Sequence, residues 1–383
     1  MAEEMITNEI HRPFFSVVVA CYNPRKYLAK LLLSIVNQHI PEDIEVILSD
    51  DHSPEPYDDV VDQFKNFVHI KRIMTDYNFA PGNTRQKGTE IATGEWLCFA
   101  DQDDEFYPDT LAQVMKRIKE SGEQIYAVAD FNECRMDGTI YREFRATLGW
   151  CHAKFYNLDN MWKNFGMAFK KDLRSHEDIY ICSLSNCIMN FLNNREPLYI
   201  PVVVYCWYQN PESLTHSKYV SDAGTHSFLE FLFADYIDST ASVYYDQFLK
   251  NNITLEYART SMIEVLAYCY FYMMGFIFHD PEGFIRDNFT YSKNLLVAIK
   301  RTFNLNNQGI WDILAANDAK SFTEIRKASE IGSGPYIPHM TIMQWMNMLD
   351  KDIEAPIEQE SIPAEEQSQI ERIDPSETEI ITE

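Results

Sequence analysis

The chain has 383 residues, 46% of them hydrophobic and 14% aromatic, with a formal net charge of -25 at pH 7, enough apolar material for roughly two to three packed domains. From Asp350 to Glu383, twelve acids face only Lys351 and Arg372, a net of -10, so -15 remains in the preceding body. Such a body repels nucleic-acid phosphates and anionic membranes, and no basic cluster overrides that field, so a nucleic-acid partner is not expected.

The leader, residues 1–12, lacks the basic-then-apolar order of a signal peptide. Phe14 to Tyr22 (FFSVVVACY) is a β-branched and aromatic run, the pattern of a strand buried on both faces of a parallel sheet. Asn23 then reads as an N-cap and Pro24 as the first helical residue, with Leu28, Leu31, Leu32, Ile35 and Val36 on one face. Ile44 to Ser49 repeats the strand pattern and ends in Asp50-Asp51-His52-Ser53, completing a βαβ unit. A second helix is predicted over Tyr57 to Phe67 and a short strand over His69 to Met74. A third helix starts near Asn83 and closes at Gly94 as its C′ residue.

Trp96 to Phe106 (WLCFADQDDEF) is a buried strand running into Asp101, Asp103 and Asp104. Ligands of open α/β sheets bind beyond the carboxyl ends of the strands, where such carboxylates can hold a cation. A helix from Pro108 and a strand over Gln124 to Asp130 follow. The alternation of strand and helix predicts an α/β, Rossmann-like layer. Asp137-Gly138 signals a hairpin, and Tyr199 to Tyr208 returns to strand. Helices are expected over Thr225 to Lys250, Leu255 to Phe278 and Ser292 to Phe303, with shorter ones to Leu349. Their aromatic stripes fit a core or a subunit interface, so homo-oligomerisation through them is possible.

The longest apolar run, Val265 to Phe278, is too short to span a membrane and reads as a buried helix. The tail, residues 350–383, has the composition of a disordered segment. The eight cysteines are scattered without a C-x-x-C pair, which fits reduced, buried thiols of a cytoplasmic protein. Neither a G-x-G-x-x-G nor a G-x-x-x-x-G-K-[ST] signature is present, which argues against dehydrogenases and P-loop NTPases.

Four separated features, ACYN after the first strand, SDDHS after the second, ADQDD after a later one and His176-Glu177-Asp178 before an apolar helix, together resemble family 2 glycosyltransferases. Residues 82–94 (GNTRQKGTEIATG) are similar to the Arg-x-x-Gly helix of that family, and the resemblance runs from Phe14 to Ser217. It implies a GT-A catalytic domain over residues 13–218, followed by a helical C-terminal domain over 219–349. It also implies inverting transfer of a sugar from a nucleotide-sugar donor, a UDP-sugar by preference, to a hydroxyl acceptor such as a glycan or glycopolymer, with Mn²⁺ or Mg²⁺.

Residue by residue, the resemblance assigns Asp51 to the N3–H of a uracil-like base, with Ala20, Tyr22 and Asn23 as the other side of that pocket. Asp103 falls near the ribose and Asp104 on the metal, while Asp101 orients the loop. Arg85 meets phosphate or base, or is a surface arginine on its helix; Asp178 is the general base, and Glu177 supports the loop or contacts the acceptor. Asp50 is expected to cap a turn. Lys154 is a candidate for phosphate or acceptor, or is a solvated lysine. Trp150 and Trp207 could stack on a sugar or belong to the core, and His216 could add a metal ligand. A catalytically inactive binding module of the same fold, or an enzyme that glycosylates modified phage DNA, are the competing classes.

Overall fold

The computed structural model describes residues 11–78, 80–171, 173, 176–213, 235–276, 283–316 and 342–351. His216, the start of the helix expected from Thr225, residues 317–341 of the stretch expected to carry shorter helices, most of the leader and nearly all of the acidic tail lie outside them.

One nine-stranded mixed sheet organises residues up to 208. Its strands are β1 (Phe15–Cys21), β2 (Ile44–Asp50), β3 (His69–Met74), β4 (Trp96–Asp101), β5 (Glu105–Phe106), β6 (Tyr126–Cys134), β7 (Ile140–Phe144), β8 (Lys154–Asn157) and β9 (Leu198–Tyr208). They run in the order β3-β2-β1-β4-β8-β6-β9-β5, with β7 added on β6. The pairs β1·β2, β1·β4 and β2·β3 are parallel, so β1, β2 and β4 deliver their carboxyl ends to one edge. The antiparallel pairs β4·β8 and β6·β8 then turn the sheet into its second half.

The central strands are buried because their side chains are apolar on both faces. Val17, Val18, Val19, Val46, Ile47 and Leu48 are all 0% exposed. Helix α1 (Leu28–Val36) lays Leu28, Leu31, Leu32 and Ile35 on one face, as its spacing predicted. Asn23, however, is no N-cap. Its backbone is left-handed at φ 49 with no side-chain capping bond, and Pro24 opens a 3-10 turn (Pro24–Lys26) ahead of α1. The second helix is also shorter than expected: α2 covers Asp58–Val61 and passes into turns.

Helix α3 (Pro81–Glu90) ends before Gly94, which serves a different purpose from a C′ cap. A Cβ there would lie 2.7 Å from the Ser16 backbone nitrogen, so the glycine admits β1 at close range. Gly88 does the same for α3, where a Cβ would meet Val18 Cγ1 at 2.5 Å. The Gly94 N–H donates to Ser16 Oγ and to Glu45 Oε1.

Glu45 is a fully buried carboxylate in the core strand β2. It accepts from Ser16 Oγ at 2.5 Å, from the Thr93 N–H and hydroxyl, and from Lys71 Nζ at 2.6 Å. Burial alone would push its pKa up, but Lys71 and these donors hold it down to about 2. The stability it contributes is therefore present above the ordinary glutamate range and lost as pH falls through about 2. Glu45→Ala is expected to cost about 3 kcal/mol in urea unfolding at pH 7, since it strands a cluster of inward donors.

Helix α4 (Thr110–Glu120) covers the sheet, and the Asp137-Gly138 hairpin forms between β6 and β7, with Gly138 at φ 85. Pro201 sits in β9 where its pairing with β6 skips from Ala129↔Ile200 to Asp130↔Val203, the bulge a strand proline requires. Helix α5 (Glu177–Phe191) then carries the acids at its first turn.

The helices that follow are α6 (Ala241–Leu249), α7 (Leu255–Phe276), α8 (Gly283–Phe303), α9 (Asn307–Ala316) and α10 (Ile342–Lys351). Leu266, Leu296, Ile310 and the fully buried Trp345 form their own core. A smaller cluster of Cys187, Val243, Ile253 and Ala258 joins α5 to α6 and α7. No helix among the described residues is long and apolar enough to cross a membrane. All eight cysteines are free and buried, as their spacing predicted.

Candidate active site

The acids meet at the carboxyl ends of β1, β2 and β4. Ala20 lies in register with Ser49 on one side and Asp101 on the other. Asp51 follows β2, its N–H donating to Cys21 O at 2.7 Å, and its Oδ1 accepts from Thr75 Oγ1 at 3.3 Å. Tyr22 is 46% exposed, so its ring is open to a ligand. Its N–H donates to Gln102 Oε1 at 2.8 Å and its carbonyl accepts from Gln102 Nε2 at 2.9 Å. The Asn23 N–H donates to Ser53 Oγ at 2.9 Å. Asp50 behaves as expected: its Oδ1 accepts the Ser53 N–H at 2.7 Å. The three strand ends are thus tied into one rim. Gln102, between two acids of the motif, makes the tie to β1 and carried no sequence signal.

Asp104 is buried, with Oδ1 accepting the Tyr208 N–H at 2.8 Å and Oδ2 the Tyr205 hydroxyl at 2.9 Å. Asp103 is held through Oδ2 by Asn210 Nδ2 at 2.6 Å. The Asp101 N–H donates to the same Tyr205 hydroxyl at 2.8 Å. Strand β9 and the residues just after it therefore fix the acidic loop from across the sheet, a role that Tyr205 and Asn210 did not advertise in the sequence.

Arg85 is 5% exposed and spends Nη1 on Glu177 and Nη2 on Asp101, both at 2.5 Å. A helix α3 packed directly on β1 and β2 leaves its guanidinium between two carboxylates, and that is where it goes. Glu177 accordingly supports the turn that carries Asp178. Gly82 allows the approach, since a Cβ there would lie 3.0 Å from Glu177 Cβ.

Burial pushes Asp178 up to about 7, the Glu177 charge adds to this, and Arg85 pulls the other way. Asp101, despite burial, is held low by Arg85 and then by His152. Burial and the neighbouring acids raise Asp103, and raise Asp104 well above the carboxylate range. The cluster thus carries more carboxylate than its protein cations neutralise.

Ligand atoms of Asp101, Asp104 and His152 all lie within 4.8 Å of one another. His152 is buried, stacks on Tyr205 at 5.1 Å and 13°, and leaves Nδ1 without a hydrogen-bond partner. Its pKa falls to about 4 through burial, against which the Asp101 charge acts, so the imidazole is neutral with a lone pair to give. Two carboxylates and an orphaned imidazole nitrogen suit a divalent cation such as Mn²⁺, so the residues present fit the metal.

Of the remaining candidates Lys154 is buried, and Trp150 and Trp207 are half-buried. Lys154 is fully buried, its Nζ donating to His152 O at 3.1 Å, and burial lowers its pKa to about 8; it is no solvated lysine. Trp207 stacks on His152 at 5.7 Å, and Trp150 packs edge-on against Phe144 at 4.9 Å.

This mixed sheet with a rim of acids at three strand ends is a GT-A fold. The structure of Staphylococcus aureus TarS 1-349 in complex with UDP-GlcNAc superimposes with a TM-score of 0.56 at 18% identity, over 83% of this chain and 92% of that one. The sequence model of glycosyl transferase family 2 matches residues 16–193, so this segment of the chain is similar to that family. The poly(ribitol-phosphate) beta-N-acetylglucosaminyltransferase TarS of Staphylococcus aureus is 33% identical over 108 residues, 28% of this chain and 19% of the relative. The GalNAc(5)-diNAcBac-PP-undecaprenol beta-1,3-glucosyltransferase of Campylobacter jejuni is 31% identical over 136 residues, 34% of this chain and 42% of the relative. The matched segments therefore span about a fifth and two fifths of these relatives.

Proposed function

We propose that the protein is a metal-dependent, inverting glycosyltransferase that moves a sugar from a UDP-sugar to a hydroxyl of a glycan or glycopolymer. The observation that carries this reading is the Arg85 bridge. By joining Asp101 to Glu177 it sets the acidic loop and the turn bearing Asp178 on one crevice.

In this reading Asp51 accepts from the base of the nucleotide, and Ala20, Tyr22 and Asn23 shape the rest of its pocket, with the exposed Tyr22 ring available to stack. Asp103, anchored by Asn210, turns toward the ribose. Asp101, Asp104 and His152 would hold the cation, and the hydrogen bonds from Tyr205 and Tyr208 orient Asp104 as outer-shell partners orient a ligand. When bound, the cation supplies positive charge for the departing diphosphate.

Asp178 takes the proton from the acceptor hydroxyl as that oxygen attacks the anomeric carbon, and the bond to the nucleoside diphosphate breaks on the opposite side. One displacement inverts the anomeric configuration. A carboxylate raised to about 7 is a better proton acceptor than an ordinary aspartate and is still ionised in useful amount at neutral pH. The eight free thiols suit a reducing cytoplasm, the compartment proposed for the enzyme.

Release of UDP from a panel of UDP-sugars with Mn²⁺ tests the reading. Turnover is expected to disappear with EDTA and to return with Mn²⁺. Asp104→Asn is expected to weaken Mn²⁺ binding by at least about tenfold in calorimetry, with binding releasing protons as the raised carboxylates ionise. Undiminished turnover after complete chelation would contradict the metal assignment.

A further inference from the structure

Beside the first turns of α5, a cavity of about 250 Å³ opens between the catalytic layer and the helices that follow. Ile179, Cys182 and Asn186 line one wall from a single face of α5, at i, i+3 and i+7. Asp178 lies one turn before Cys182 on the same side of that helix. The cavity therefore begins one helical turn from the proposed base, on a helix whose first turn the Arg85 bridge holds rigidly.

Tyr236, Tyr244 and Tyr268 stand on the other side. Tyr236 and Tyr268 stack at 5.3 Å and 29°, and the edge of Tyr236 meets His176 at 5.5 Å, the residue just before the two acids. The aromatic surface is thus fastened to the turn that carries Asp178. Ser261 and Glu264 add polar atoms at the same wall.

Flat aromatic faces with hydroxyls at their edges match a pyranose ring, which is apolar on its C–H faces and polar around its rim. Among the described residues that line the cavity none is cationic, and Glu264 and the acidic body of the chain set a negative field. That chemistry selects against a phosphate-bearing acceptor. The volume lies below the ~300–1,000 Å³ of pockets that enclose whole drug-sized ligands, so one sugar unit enters while the rest of a longer chain stays outside.

We propose that this cavity is the acceptor subsite and that it takes an uncharged pyranose unit of a glycan. The inference rests on the glycosyltransferase reading and narrows its acceptor. It also gives the helical part of the chain a task, because α6, α7 and the segment before α6 supply the tyrosines.

Saturation-transfer NMR on the full chain tests it, with methyl β-D-glucopyranoside and methyl 2-acetamido-2-deoxy-β-D-glucopyranoside as probes and ribitol 5-phosphate as the charged comparison. The glycosides are expected to show transfer at least about fivefold stronger than ribitol 5-phosphate. Their signal is expected to fall about tenfold in Tyr268→Ala, which removes an aromatic face, and in Ser261→Trp, which fills the cavity. Melting curves with UDP in the same samples report whether each variant is folded and whether the donor site exists. No transfer to the glycosides, a stronger signal from ribitol 5-phosphate, or undiminished transfer in the folded variants would overturn the proposal. Failure of UDP to raise the melting temperature would instead contradict the transferase reading, and the glycoside signal would still decide the cavity.

Discussion

Asp178→Asn is expected to lower turnover by about 10²–10⁴-fold, the contribution of one positioned base, as read by UDP release at saturating donor and acceptor. In the wild type, activity is expected to fall on the acid side with a midpoint near pH 7. Burial, then the Glu177 charge, raises the Asp178 carboxyl to about 7, and a base works only after losing its proton, so activity is present above that pH and lost below it. The asparagine variant should lose this limb in whatever residual rate remains.

The same shift has a consequence for stability. Because the folded protein holds the Asp178 proton more tightly than the unfolded chain does, stability falls as pH rises from about 4 to about 7. Asp178→Asn removes that ionisation. It is expected to unfold later in urea at pH 8 than the wild type, by roughly 1–3 kcal/mol. An inactive variant that is also more stable is the signature of a functional buried acid, whereas a carboxylate kept for structure would lose stability on the same change.

Arg85→Met carries the second large effect. Removing one guanidinium strands Glu177 and Asp101, and breaking a buried pair in this way costs about 3–5 kcal/mol. The Asp101 side chain is 30% exposed, so water recovers part of that, and the lower end of the range is expected. Arg85 is a positioning residue, and its distinguishing readout is the pH profile. Since its charge lowers Asp178, the acid limb should move above 7 in the variant, with kcat falling more than donor KM rises. Arg85→Lys presents a point charge in place of a fork and can serve only one of the two acids well, so it should recover stability more fully than rate. An unmoved acid limb would reduce Arg85 to a packing role.

The parts of this fold that were legible in the sequence are those whose signal is local. Val17 to Val19 and Val46 to Leu48 read as strands because both faces are apolar, and α1 reads as a helix because its leucines recur at helical spacing. The acids at the ends of β2 and β4 and at the start of α5 stand where their segments end, so their meeting could be inferred from topology. Asn23 was misread because its side-chain chemistry suits a cap while its backbone is left-handed at φ 49. Gly94 was misread because close packing on β1, and not the end of α3, requires it.

What stayed hidden depends on partners far apart in the chain. Tyr205 reaches Asp104 across 101 positions, Asn210 reaches Asp103 across 107, and Arg85 reaches Glu177 across 92. Gln102, His152 and Glu45 are single polar residues within apolar or acidic stretches, and only the sheet register shows what they hold. The cavity beside α5 belongs to two parts of the chain that no local pattern connects.

The most direct measurement is a thermal-shift screen of the full chain against UDP-, GDP-, CMP- and dTDP-sugars, each with and without Mn²⁺. A UDP-sugar with Mn²⁺ at about 100 times its Kd is expected to add about 2.7 kcal/mol of stability, with a smaller shift when Mn²⁺ is withheld and little from CMP-sugars. A flat response to all four nucleotide classes, with metal present, would contradict the assignment of the crevice at the ends of β1, β2 and β4 as a nucleotide-sugar site.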